Sequence, residues 1–255
     1  MKTFGLIGFP LHHTFSEKYF SDKFQREKIA GCEYKIFPLQ QIEELPVLIK
    51  NLPELIGLNV TIPYKQAVLP FLDELDPLAR NVGAVNTIKI LRNGNKFYLK
   101  GFNTDAYAFQ QSIKPLLKLH HKAALILGNG GAAKAIQRAL IYGLEIDHIM
   151  FVSRKSGNLG TLRYDELNEK TFDYYKLIIN TTPVGMYPDV NTFPPVPYHH
   201  LTPLHLLYDL VYNPAETAFL KKGKENGAHI KNGLEMLYLQ AEEAWKIWNR
   251  NEIKV

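Results

Sequence analysis

The stretch Lys122-Ala123-Ala124-Leu125-Ile126-Leu127-Gly128-Asn129-Gly130-Gly131-Ala132-Ala133 decides the fold of this chain. Its first half is a continuous apolar run, the pattern of a strand covered on both faces. The run meets Gly128-x-Gly130-x-x-Ala133, which matches the dinucleotide pattern G-x-G-x-x-G/A. Gly128 permits a tight turn out of the strand. Gly130 lets backbone approach a pyrophosphate with no Cβ in the way, and Ala133 is small enough for close helix–strand packing. A helix then runs through Tyr142, and its free N–H groups face an anion. A second strand, His148 to Val152, completes a βαβ unit of about 30 residues. Gly128, Asn129, Gly130, Gly131 and Ala132 are therefore the candidate phosphate-binding residues. The bland alternative is a tight βα turn with no ligand.

The second strand ends in Val152-Ser153-Arg154-Lys155. An enzyme using NAD usually places Asp or Glu here for the ribose 2′-hydroxyl. A hydroxyl and two cations attract a 2′-phosphate instead, and arginine can hold it bidentately. Ser153, Arg154 and Lys155 therefore point to NADP(H), against the alternative of a solvated basic loop.

Downstream, Leu177 to Asn180 and Leu206 to Leu210 continue the strand pattern, and Gly233 to Asn249 reads as a long final helix. Upstream, Thr3 to Gly8, Tyr34 to Phe37 and Ile56 to Thr61 are strand-like. Ser16 is expected to cap a helix that turns Phe20 and Phe24 inward. Gln40 to Asn51 reads as one helical segment, and Ala106 to Leu119 as another with a late break at Pro115. Asn86 to Leu91 and Lys96 to Gly101 flank Asn93-Gly94, a two-residue hairpin signal. The two halves are expected to divide near residues 101 to 105, with the last helix packing back on the first half.

Composition narrows the function classes. The chain has 255 residues, 46% hydrophobic and 22% charged, which is ordinary globular usage for one large domain or two modest ones. Aromatics at 12% and a net charge of +5 argue against disorder. The lone cysteine, Cys32, cannot form an internal disulfide and suits a reducing cytosol, so a cytoplasmic location is expected. It also cannot build a cysteine zinc site, and no metal is expected. No run approaches the ~18 apolar residues of a membrane span, and Met1 to Phe15 lacks the pattern of a signal peptide. The sequence pI of about 9.0 comes from scattered cations rather than a clustered stripe, so neither nucleic acid nor membrane is an expected partner. Lys221, Lys222 and Lys224 read as a solvated helix end.

The first half carries a polar constellation. Asn59-Val60-Thr61-x-Pro63-x-Lys65 places Asn59, Thr61 and Lys65 at the end of an apolar strand. Asn86-Thr87 and Asn103-Thr104-Asp105 supply similar groups. Short amides and hydroxyls suit a polyhydroxylated small molecule. Lys65 with Asp105 combines acid/base capacity with an orienting partner. Taken singly, Lys65 reads as a surface lysine and Asp105 as a helix N-cap; only together do they point to acid–base chemistry.

These motifs resemble the shikimate dehydrogenase family over almost the whole chain. The likeness is carried by Phe4-Gly5-Leu6-Ile7-Gly8-Phe9-Pro10, Asn59 to Lys65, Gly83 to Thr87, Gly101 to Asp105, Asn180 to Met186, Tyr208 to Pro214, Asn232-Gly233-Leu234-x-Met236 and Gln240. It implies an α/β fold of two domains. Residues 1–103, joined by the C-terminal helix 233–255, would form a substrate-binding and catalytic domain. Residues 104–232 would form a Rossmann-type NADP-binding domain, with a deep cleft between the two. The implied reaction is reversible NADP(H)-dependent reduction of 3-dehydroshikimate to shikimate, in aromatic amino-acid (chorismate) biosynthesis, by a monomer or homodimer. Lys65 would be proton donor or acceptor and Asp105 its partner. Thr14, Ser16 and Tyr212 would hold the substrate carboxylate. Asn59, Thr61, Asn86, Asp105 and Gln240 would bind ring hydroxyls. Thr181 would join the cofactor-binding residues, while backbone at Leu210 and Gly233, with Met236, would line the nicotinamide side.

The chain departs from the family pattern in three places. Thr14-Phe15-Ser16 stands for Ser-x-Ser, Glu17 for proline, and Ser153-Arg154-Lys155 for Asn-Arg-Thr. The alternatives are a quinate/shikimate dehydrogenase with relaxed cofactor use, against which Ser153 argues because an acid is expected there, and a non-catalytic dinucleotide-binding protein of the same fold, against which the retained Lys65 and Asp105 argue.

Overall fold

The computed structural model describes residues 1–11, 14–94, 96–154 and 160–250. The chain divides into two compact units, one formed by Met1–Asp105 with Leu239–Val255, the other by Ala106–Tyr238. The elements run β1 (Lys2–Gly8), α1 (Phe15–Arg26), β2 (Cys32–Pro38), α2 (Leu45–Asn51), β3 (Leu55–Val60), α3 (Tyr64–Ala67), β4 (Glu74–Leu75), α4 (Pro77–Val82), β5 (Thr87–Asn93), β6 (Lys96–Phe102) and α5 (Thr104–Ile113). They continue β7 (Ala123–Leu127), α6 (Gly131–Leu144), β8 (His148–Ser153), β9 (Thr161–Arg163), α7 (Glu169–Tyr174), β10 (Leu177–Asn180), β11 (Leu206–Asp209), α8 (Ala218–Glu225), β12 (His229–Lys231) and α9 (Leu234–Asn249).

The first unit holds a mixed sheet in the order β2-β1-β3-β5-β6-β4. β1 runs parallel to β2 and β3, and the β5–β6 hairpin turns the sheet antiparallel. Alternation along β1 sends Phe4 and Leu6 to one face and Ile7 to the other. Phe4 and Leu6 pack with Phe20 and Phe24 of α1 and with Ala244 and Trp248 of α9, while Ile7 packs with Leu58 and Ile88. Phe4 and Phe20 are completely buried, each contributing about 2–3 kcal/mol of transfer free energy. The Trp248 Nε1 donates to the Ile88 carbonyl at 3.0 Å, pinning the end of α9 to β5.

The second unit holds a parallel sheet in the order β12-β11-β10-β7-β8-β9. Counted from β7 as the first strand, this is the doubly wound order 3-2-1-4-5-6. Leu125, Leu127, Val152, Ile178 and Leu207 supply one core face, against Phe172, Phe219 and Leu220.

Several boundaries depart from the sequence reading, each for a local reason. Thr14, not Ser16, caps α1: its Oγ1 accepts from Glu17 N at 3.3 Å, and Ser16 lies inside the first turn. The Gln40–Asn51 segment is broken into a short 3₁₀ turn, Ile42–Glu44, and α2. Pro46, with no N–H to donate, fits only the start of a helix. α5 stops at Ile113, because Pro115 disfavours α geometry at Lys114 and a 3₁₀ turn follows. In the hairpin, Asn93 pairs with Lys96 and remains in the strand, so the turn starts one residue later, at Gly94 with φ +61°.

Candidate active site

In the first unit the polar constellation assembles on the ends of β3, β5 and β6 and the short helices that follow them. α3 is anchored by the Tyr64 hydroxyl, which donates to the Leu39 carbonyl at 2.7 Å, and by Val85 N, which donates to the Lys65 carbonyl at 2.7 Å. These contacts fix the backbone that carries Lys65. Its Nζ lies 2.7 Å from Asp105 Oδ2, with the lysine side chain 37% exposed and the aspartate 27%. Asp105 is the second residue of α5, so it is not the N-cap. Its place is set by Asn86, whose Oδ1 accepts from Thr104 N at 2.7 Å at the head of the helix. Asn86 Nδ2 also donates to Thr104 Oγ1 at 3.0 Å.

Asn59 is buried, and both ends of its amide are engaged. Its Oδ1 accepts from the Tyr34 hydroxyl at 2.8 Å, and its Nδ2 faces Asn86 O at 3.4 Å and Thr87 Oγ1 at 3.3 Å. The structure brings Thr14, Ser16 and Thr61 together around a cavity of about 360 Å³, lined also by Phe9, Leu11 and Phe15. Gln240 is buried on α9, which is tied to α1 by Lys23 Nζ, 2.9 Å from Glu242 Oε1. Tyr212 belongs to the second unit and is 41% exposed.

In the second unit Gly128 leaves β7 with φ +105°, a conformation that favours glycine. A Cβ there would come within 2.9 Å of Thr181 Oγ1. Thr181 in turn donates from Oγ1 to the Leu127 carbonyl at 2.7 Å, joining the ends of β7 and β10 at the topological switch point. Gly130, the N-cap of α6, has extended φ and ψ of −81° and −167°, open to any residue. A Cβ at Gly130 or Gly131 would meet nothing within 4 Å. The protein itself does not demand glycine at these two positions, whereas a group approaching the turn from outside does. The open turn at the head of a 14-residue helix therefore fits a pyrophosphate. Asn129 and Ala132 lie in the same turn and first helical residues. Ser153 ends β8 and the exposed Arg154 follows it, while Lys155 lies outside the described residues. Gly233 sits against Leu210, where a Cβ would come within 2.2 Å of the Leu210 carbonyl oxygen, and Met236 is half-buried on α9. Among the described residues no group of three or more His, Cys, Asp or Glu side chains could hold a metal, and no helix is long and apolar enough to cross a membrane.

The sequence assigns no role to two buried polar groups. Tyr34 looks like an aromatic strand residue, and its only signal is that a buried phenol needs a partner. Asp209 is completely buried in the second unit, accepting from Asn180 Nδ2 at 2.9 Å, Val211 N at 3.0 Å and Thr217 Oγ1 at 2.6 Å. Burial outweighs these donors and pushes its carboxyl up to about 6.

The family model for the shikimate dehydrogenase substrate binding domain matches residues 6–88, the stretch containing Ser16, Asn59, Lys65 and Asn86. A shikimate dehydrogenase (NADP(+)) of Clostridium beijerinckii is 38% identical over 262 residues, covering 99% of this chain and 94% of its own. The chain belongs to the shikimate dehydrogenase family. Among solved members, the Listeria monocytogenes shikimate 5-dehydrogenase in complex with shikimate and NAD superposes with a TM-score of 0.83 at 26% identity, covering 99% of this chain and 93% of that one. The Thermus thermophilus enzyme in complex with NADP(H) and shikimate gives 0.77 at 29% identity, with 98% and 94% covered. These family members share the two-domain, Rossmann-type α/β architecture expected from the sequence.

Proposed function

We propose that this chain interconverts 3-dehydroshikimate and shikimate with NADP(H), in the chorismate branch of aromatic amino-acid synthesis. The first unit acts as the substrate-binding and catalytic domain, and the second as the NADP-binding domain. The observation that carries the reading is the Lys65 Nζ–Asp105 Oδ2 pair at 2.7 Å, part-exposed beside a neutral network of amides and hydroxyls. An ammonium in that position stabilises the oxyanion that forms when a ketone is reduced and delivers the proton to it. Asp105 orients the ammonium for that transfer. In the oxidative direction the neutral amine takes the hydroxyl proton back. Thr14 and Ser16 hold the substrate carboxylate, and Thr61, Asn86, Asn59 and Gln240 read the ring hydroxyls. The turn Gly128–Ala132, with Thr181, holds the nucleotide pyrophosphate, and Ser153 with Arg154 its 2′-phosphate; Leu210, Gly233 and Met236 line the nicotinamide. A nicotinamide dinucleotide bound there supplies the hydride.

The similar proteins support this reading: the Clostridium beijerinckii relative is a shikimate dehydrogenase (NADP(+)), and the Thermus thermophilus neighbour was crystallised with NADP(H) and shikimate. The test is a steady-state assay of the purified protein on shikimate and on quinate, each with NADP⁺ and NAD⁺. Shikimate with NADP⁺ should be turned over much faster than any other pair. Comparable rates on quinate would reassign the chain to a quinate/shikimate dehydrogenase, and no turnover at all would leave only a dinucleotide-binding protein.

A further inference from the structure

Tyr34 stands on β2, outside the motifs that mark the family, and its ring stacks on Phe20 with centroids 4.7 Å apart. Its hydroxyl donates to Asn59 Oδ1 at 2.8 Å. Asn59 continues to Thr87 Oγ1, and Thr87 Oγ1 lies 3.3 Å from Asn86 Oδ1 and 3.2 Å from Thr104 Oγ1. Asn86 caps the helix that bears Asp105, and Asp105 holds Lys65. A line of hydrogen bonds thus runs from Tyr34 on β2 through Asn59, Thr87 and Asn86 to Thr104, the residue before Asp105. An amide has two faces of opposite character, so one strong donor fixes which end points where. With Tyr34 donating, the oxygen of Asn59 turns toward β2 and its nitrogen toward β5.

We propose that Tyr34 is a positioning residue for catalysis: its hydroxyl sets the orientation of the Asn59 amide, so the amide that reads the substrate stands in one arrangement before it arrives. The inference rests on the shikimate dehydrogenase reading of this site. Burial holds the Tyr34 phenol well above its ordinary range, so it remains a donor throughout the working range of pH.

The test is Tyr34→Phe, which keeps the stacked ring and removes one oxygen, compared with Asn59→Ala and with the double variant. Wild-type turnover of shikimate with NADP⁺ is the control, and its absence would sink the functional reading without bearing on Tyr34. Given that turnover, Tyr34→Phe should raise KM for shikimate about tenfold and leave KM for NADP⁺ within about twofold. The double variant should show no larger loss than Asn59→Ala alone, because the phenol acts through that amide. A shikimate KM unchanged in Tyr34→Phe would overturn the proposal, as would losses that multiply in the double variant. Equal losses for both substrates, or failure of Tyr34→Phe to fold, would assign the hydroxyl to stability and overturn it equally.

Discussion

Each unit buries a polar network, and the two are built on opposite plans. In the first, Tyr34, Asn59, Asn86, Thr87 and Thr104 are neutral, and the charges they support, Lys65 and Asp105, are left part-exposed. In the second, an ionisable carboxyl sits at the centre, sealed from water and gripped by three donors. On the proposed reading Lys65 exchanges a proton with a ligand and needs access to it, so the groups around the pair are neutral and leave it open. A group that only ties loops together can be enclosed, at a cost in desolvation. Asp209 ties Val211 N and Thr217 to the end of β11, and through Asn180 it reaches Thr182 beside the Gly128 turn.

Lys65→Ala should lower kcat about 10²–10⁴-fold while NADP⁺ binding, followed by titration calorimetry, is unchanged. Near-normal turnover would remove the chemical role from the first unit. The matching loss in the second unit is structural. Asp209→Ala strands three buried donors and should cost about 3–5 kcal/mol in urea unfolding. A loss below about 1 kcal/mol would show that the enclosed carboxyl ties nothing. Arg154→Ala should weaken NADP⁺ binding about tenfold and NAD⁺ binding hardly at all, as expected for loss of a bidentate phosphate contact. Equal losses for the two nucleotides would refute recognition of the 2′-phosphate.

The finest test uses pH. Asp209 is raised from 3.8 to about 6, so the folded state binds the extra proton between those values and gains stability as pH falls through that window. His121, buried with its Nε2 on the Leu204 carbonyl and its Nδ1 accepting from Lys118 N, is lowered by burial from 6.5 to about 4. The unfolded state then takes the proton first, and stability is lost as pH falls from 6.5 to 4. Each contribution is of order 3 kcal/mol at most, and the two oppose each other. His121→Asn should therefore lose less stability than wild type between pH 7 and pH 5, read from urea midpoints. An identical pH dependence in both proteins would show that His121 does not titrate with folding.

The parts of this fold that could be read from the chain are those in which local pattern and global role coincide. The apolar run into Gly128-x-Gly130-x-x-Ala133 is one, since the same residues make the strand, the turn and the start of the helix. Lys65 and Asp105 stood out because each closes a compact polar motif. What stayed hidden depends on partners distant in sequence. Nothing near Tyr34 announces Asn59, 25 residues away, and nothing near Asp209 announces Asn180. Edge strands such as β4, β9 and β12 are only two or three residues long and carry no periodicity to read. Thr14 and Ser16 are both good caps, and only the backbone decided between them.

The packing of α9 against Phe4 and Phe20 has a consequence for the order of biosynthesis. The first unit is completed by residues from Leu239 onward, whereas Ala106–Tyr238 form one uninterrupted segment. On the ribosome the second unit has its full complement of residues first, while the first unit waits with Phe20, Phe24 and Tyr34 uncovered until Trp248 emerges from the exit tunnel. Nascent chains halted before that tryptophan should be the ones that chaperones hold.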